Sequence, residues 1–190
     1  MQNAIAAMAT AAALALAAPA AAATIHEGDL AGGSFSGSWE APTNLGAGVT
    51  GATGTSQQQA FDFFAFTLPK GAQTLTFDFW APQGIGHSYS AGGTIKTSTT
   101  PFRWGWDGTQ TGTFQLGRQK PTDQVTLALG PDFAGILNVG LYFTHGANIS
   151  YRVSSDAVAE APGVVPLPAT GLLLLSAVGG AALAARRRRV

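Results

Sequence analysis

The chain has no cysteine. That excludes a disulfide framework, thiolate metal sites and cysteine nucleophiles, so apolar burial has to hold any fold together. Basic residues are scarce too. Between Thr24 and Gly163 there are six (Lys70, Lys96, Arg103, Arg118, Lys120 and Arg152) against ten acidic residues, a formal charge of −4. The zero charge of the whole chain hides this, because the other four basic residues are the consecutive Arg186, Arg187, Arg188 and Arg189. With no basic patch on the body, nothing points to nucleic acid. Histidine is limited to His26, His87 and His145, and none has a ligand-type partner at the spacing a metal site uses. Asp29, Asp107 and Asp132 sit beside Gly or Pro, where a turn gives aspartate a local reason, and no calcium-loop spacing joins them. No cofactor is called for.

Both ends of the chain do carry long apolar runs. Residues Met1 to Ala23 hold "AIAAMATAAALALAAPAAAA" and end in small residues before Thr24, the pattern of a secretory signal peptide. The segment ahead of that run, "MQN", has no Lys or Arg, a departure from the usual charged start. At the other end Ala169 to Ala185 is uncharged for seventeen residues. As a helix it would span about 25 Å, slightly less than a hydrocarbon core. The four arginines follow at once, and such a cluster stays on the cytoplasmic side and stops transfer. The expected organisation is a signal peptide over 1–23, one domain over 24–153, a polar linker over 154–164 and an apolar, basic-ended tail over 165–190.

The body reads as all-β, and a β-sandwich or jelly roll is the favoured architecture. "QTLTFDFW" sets Leu75, Phe77 and Phe79 on one face and Thr74, Thr76 and Asp78 on the other. "QVTLAL", "ILNVGLYF" and "NISYRV" repeat the period, with "THGAN" between the last two suggesting a hairpin. "AFDFFAFTL" is aromatic on both faces, as a central strand would be. "NLGAGVTGATGTSQQQ", Asn44 to Gln59, has no charge and no regular apolar period, so the expectation is a long flexible loop with at most a short edge strand near Val49.

Within the tail, Val165, Pro166, Leu167, Pro168 and Ala169 spell "VPLPA", followed by the apolar run and then the arginines. This resembles a PEP-CTERM-type sorting signal of the VPLPA variant. The resemblance implies a Gram-negative bacterium, a precursor held at the inner membrane by the helix, and an exosortase-type protease that processes it near the motif. The same letters contain "LPATG", Leu167 to Gly171, which is similar to the sortase motif of Gram-positive wall proteins. In the body, "FDFFAFTLPKGAQTLTFDF" looks like a strand pair of bacterial pre-peptidase C-terminal β-sandwiches. "LNVGLYFTHGANISYRV" looks like their closing hairpin. That likeness implies a binding or accessory domain.

Catalytic constellations fail on inspection. "GHSYS", Gly86 to Ser90, approaches the G-x-S-x-G nucleophile elbow, but Ser90 replaces the last glycine and no helix pattern follows. The aromatic stretch "PFRWGWDG" alternates Phe102, Trp104 and Trp106, which in a strand would share one face. Buried, that face is a core layer, the usual meaning of alternation. Exposed, Trp104 and Trp106 form a platform for sugar rings. The expected function is therefore a non-enzymatic, structural or adhesive protein of the cell surface or extracellular matrix. The alternative is a glycan-binding module for exopolysaccharide, which requires Trp39, Trp80, Trp104 or Trp106 to be exposed.

Overall fold

The computed structural model describes residues 22–103 and 107–157, and these form two packed five-stranded sheets. The strands are β1 (Ala23–His26), β2 (Thr43–Ala47), β3 (Val49–Ser56), β4 (Phe61–Thr67) and β5 (Gln73–Trp80), then β6 (Ser90–Ser98), β7 (Thr109–Gly117), β8 (Thr122–Leu129), β9 (Ile136–His145) and β10 (Ile149–Ser155). The front sheet runs β1-β3-β10-β5-β8 and the back sheet β2-β4-β9-β6-β7. The all-β sandwich expected from the alternating runs is what forms. Residues 1–21 of the expected signal peptide, the sorting motif, the arginine cluster and the apolar tail lie outside the described residues, as do Trp104 and Trp106, while Ala23, the last residue of that expected peptide, opens β1. Among the described residues no helix is long and apolar enough to cross a membrane.

Inward residues follow the sequence period. Leu75, Phe77 and Phe79 of β5 are buried, as are Leu137, Val139, Leu141 and Phe143 of β9 and Ile149, Tyr151 and Val153 of β10. The two layers lock through rings: Phe79 and Phe114 stack with centroids 3.7 Å apart, and Phe143 meets Phe114 edge-on at 5.8 Å. At the β7–β8 edge the sheets also close on each other, where the Gln115 N–H donates to Asp123 Oδ2 at 2.9 Å. On β4 the two aromatic faces divide as a strand inside a sheet requires. Phe64 and Phe66 enter the main core, while Phe63 meets Phe102 edge-on at 5.7 Å on the other side.

Several expectations are corrected. Asn44 to Gln59 is not a flexible loop, because it supplies β2 and all of β3, and β3 lies inside the front sheet between β1 and β10. The apolar period is missing there because larger neighbours already fill the space. A Cβ on Gly54 would lie 2.6 Å from Tyr151 Oη, and one on Gly51 the same distance from Thr24 Oγ1.

"THGAN" does not close a hairpin, since β9 belongs to the back sheet and β10 to the front. Gly146 (φ 99°) and Asn148 (φ 54°) take left-handed conformations that carry the chain across the sandwich. The β4–β5 connection through Gly71 crosses between sheets in the same way, so neither likeness to a paired strand motif describes actual pairing.

Finally, Pro101 to Arg103 form no strand. Phe102 is buried, yet under the outer face of the back sheet and not in the layer between the sheets. β10 itself runs on to Ser155, two residues into the stretch read as linker.

Candidate functional site

Register places a distinct set of side chains on the outer face of the front sheet. Arg152 lies opposite Asp78, and Asp78 opposite Gln124, forming one rung across β10, β5 and β8. The next rung is Ser150, Trp80 and Thr122. Two residues along a strand span about 6.6 Å, so the tryptophan stands just beyond the charged rung on the same face. Around them the outward positions are mostly hydroxylic, with Thr53 extending the charged rung onto β3 and Ser154, Thr76 and Thr126 forming the rung on its other side. The same alternation that sends Phe77 and Phe79 inward therefore leaves a polar sheet face carrying one large ring.

Trp80 keeps 36% of its surface exposed. It borders an open depression of about 560 Å³ with Asp78, Thr122, Gln124 and Arg152. Asp78 is the hub. Its Oδ1 accepts from Gln124 Nε2 at 2.7 Å, and its Oδ2 faces Arg152 Nη2 at 3.5 Å. Beside them Lys120 Nζ lies 2.6 Å from Asp123 Oδ1. Burial alone would raise Asp123, but hydrogen bonding to Lys120 and to the backbone N–H groups of Gln115 and Gln124 holds it below the ordinary carboxylate value. Trp39, by contrast, is half-buried and does not line this depression. An exposed indole, an amide, hydroxyls and a braced guanidinium can stack on one side of a ring and hydrogen-bond its rim.

A second polar cluster sits at the end of the sandwich. Tyr151 is fully buried and its hydroxyl donates to Asp62 Oδ2 at 2.9 Å, tying the front sheet to the back. Glu27, in a short 3-10 turn after β1, accepts from the Thr55 N–H at 2.6 Å and from its hydroxyl at 2.7 Å. Burial pushes the Asp62 carboxyl up to about 6, hydrogen bonds from Tyr151 and Ser56 oppose it, and the Glu27 charge adds to the rise. These bonds bind secondary-structure elements to each other. Among the described residues no three His, Asp or Glu side chains gather as a metal site would need.

The histidines behave differently from any spacing argument. His87 pairs through Nδ1 with Arg118, not with Ser88. Ser90, the residue that breaks the elbow motif, lies 3.2 Å from His145 Nε2. Thr144 Oγ1 donates to the Gly92 carbonyl at 2.9 Å, so its 3.0 Å contact with His145 Nδ1 has the ring N–H donating to the hydroxyl. Nε2 is then free to accept from Ser90. Among the described residues no carboxylate is hydrogen-bonded to the ring, and Ser90 and His145 are both exposed at a strand end. Residues 55 positions apart left no local sequence signal for this contact. Asp107 does what its turn position implied, accepting from the Arg103 N–H at 3.0 Å.

The class defined so far is a two-sheet β-sandwich with a polar, tryptophan-bearing outer face. No family model and no curated protein matches the chain. Among solved structures it is similar to the pre-peptidase C-terminal domain of collagenase from Bacillus anthracis, at 14% identity and a TM-score of 0.37 over 60% of this chain and 93% of that one. It is also similar to CBM35 from Cellvibrio japonicus Abf62, at 21% identity and a TM-score of 0.34 over 53% of this chain and 71% of that one. At these scores neither likeness carries function across.

Proposed function

We propose that this chain is an exported, non-catalytic protein of the cell surface or extracellular matrix whose β-sandwich adheres to polysaccharide through the outer face of its front sheet. The observation that carries the binding part is Trp80. It stands exposed beside Asp78, Gln124, Arg152 and Thr122 on a face that no other element of the described chain covers. Polysaccharide binding needs an apolar ring surface with hydrogen-bonding groups at its edge, and this is where the two coincide. The Ser90–His145 contact favours no hydrolase, because an imidazolium formed there would face the Thr144 hydroxyl and not a carboxylate.

The test uses the full-length chain in mild detergent, sedimented with a panel of insoluble polysaccharides. At least one should retain it, and Trp80→Ala should release it while the circular dichroism of the sheets is kept. Retention by none of the panel would sink the adhesive reading.

Delivery rests on the tail. The abutting order of "VPLPA", apolar run and arginines supports an exosortase-type route with the membrane as a temporary partner, and "LPATG" supports a sortase route as the alternative. Mass spectrometry of protein recovered from the cell surface and from culture medium should find a C-terminus within or just after Val165 to Gly171. Intact Arg186 to Arg189 on all surface-located protein would make the tail a permanent anchor instead.

A further inference from the structure

We propose that the polysaccharide held by the Trp80 face is an uncharged one, recognised by ring stacking and hydroxyl hydrogen bonds without an ion pair. This rests on the reading of that face as a polysaccharide site and adds the chemical class of its ligand.

The charge arrangement around Trp80 carries the inference. Among the described residues the cation that lines the depression with the ring, Arg152, already has an anion of its own, facing Asp78 at 3.5 Å. An acidic sugar reaching for Arg152 would bring a second negative charge next to Asp78. Like charges at that range repel. Further out, the body's formal charge of −4 gives a field that turns polyanions away.

A neutral glycan meets neither obstacle. For it the face offers the Trp80 ring, the Gln124 carbonyl oxygen left over when Nε2 bonds Asp78, and the hydroxyls of Thr122 and Ser150. The Arg152–Asp78–Gln124 chain then acts as a brace. It fixes the amide and the guanidinium in place and leaves no net charge on the rung.

Affinity electrophoresis of the full-length chain in detergent gels separates the outcomes. The gels contain a β-glucan, a galactomannan or alginate, each run at ~0.01 and ~1 M salt, which changes the screening length from about 30 Å to about 3 Å. The result expected is retardation by at least one neutral glycan, unchanged by salt, and none by alginate. Trp80→Ala should weaken that retardation about tenfold or more, and Trp80→Phe, which keeps a ring, should weaken it less. Asp78→Asn removes the internal anion, so this variant should gain salt-sensitive retardation by alginate. Retardation of the unaltered chain by alginate alone, reduced by salt and lost in Arg152→Gln, would overturn the uncharged class and leave the face a polysaccharide site. Failure of Asp78→Asn to gain alginate binding while remaining folded would overturn the charge-compensation argument. Retardation by no polysaccharide at all would overturn the adhesive reading itself.

Discussion

Replacing Phe114 by alanine is expected to destabilise the sandwich by about 3–5 kcal/mol, the range for removing a fully buried phenylalanine. Phe114 lies on β7 at the edge of the back sheet and is 1% exposed. Its ring stacks on Phe79 of the front sheet at 3.7 Å with only 7° between planes, and Phe143 closes on it edge-on. The truncation therefore strips contacts from both layers at once. The cavity cannot collapse easily, because Gly93 backs the site, and even a Cβ there would come within 2.6 Å of the Phe114 ring. Domains of this kind hold roughly 5–15 kcal/mol in total, so the variant should sit near the edge of folding. Urea denaturation followed by tryptophan fluorescence measures the loss. Leu127→Ala, at a partly buried position of β8, is the comparison and should lose markedly less. Equal losses at the two sites would mean that the aromatic stack is not the main lock between the sheets.

Asp62→Asn is expected to act in the opposite direction at neutral and alkaline pH. The folded carboxyl is raised from 3.8 to about 6, chiefly by burial. A folded value above the unfolded one means that the native state binds the extra proton. The stability contributed by that proton is complete below about 3.8 and is lost as pH rises through about 6. Each pKa unit corresponds to about 1.4 kcal/mol, so ionised Asp62 costs the fold on the order of 2–3 kcal/mol at pH 8. Asparagine keeps an oxygen for the Tyr151 hydroxyl and never ionises. Stability should therefore be higher in Asp62→Asn than in the parent at pH 8, and the difference should shrink steadily toward pH 4. Denaturation midpoints measured across that range give the profile. A parent whose stability does not fall between pH 5 and pH 8, or a variant less stable than the parent at pH 8, would show that Asp62 is better solvated or better paired than its surroundings imply. Tyr151→Phe should lose stability throughout, since it takes one of two hydroxyl donors, Tyr151 and Ser56, from a buried carboxyl.

Which side chains face inward is written in the local order of residues. Alternation of apolar and polar side chains is a property of neighbouring residues on one pleated strand. β5 was therefore legible to its ends, from Gln73 to Trp80, and the buried sets of β9 and β10 were legible residue by residue. Strand partners were not. "THGAN" has the composition of a hairpin turn, yet the left-handed Gly146 and Asn148 send the chain to the other sheet. β3 was legible only as a short edge strand near Val49, not as an eight-residue strand inside the sheet, for a related reason. Its small residues are explained by the volume of Tyr151 and Thr24, which lie far away in the sequence.

The same division applies to the site. The strand period put Asp78 on the polar face of β5, but only register across three strands joined it to Arg152 and Gln124 and stood Trp80 beside them. Trp80 closes a run whose inward members are Phe77 and Phe79, and its exposure depends on how the sheet packs. Local chemistry sets the face a side chain takes. What it meets there depends on residues brought in from elsewhere in the chain, and that was decided by the tertiary structure.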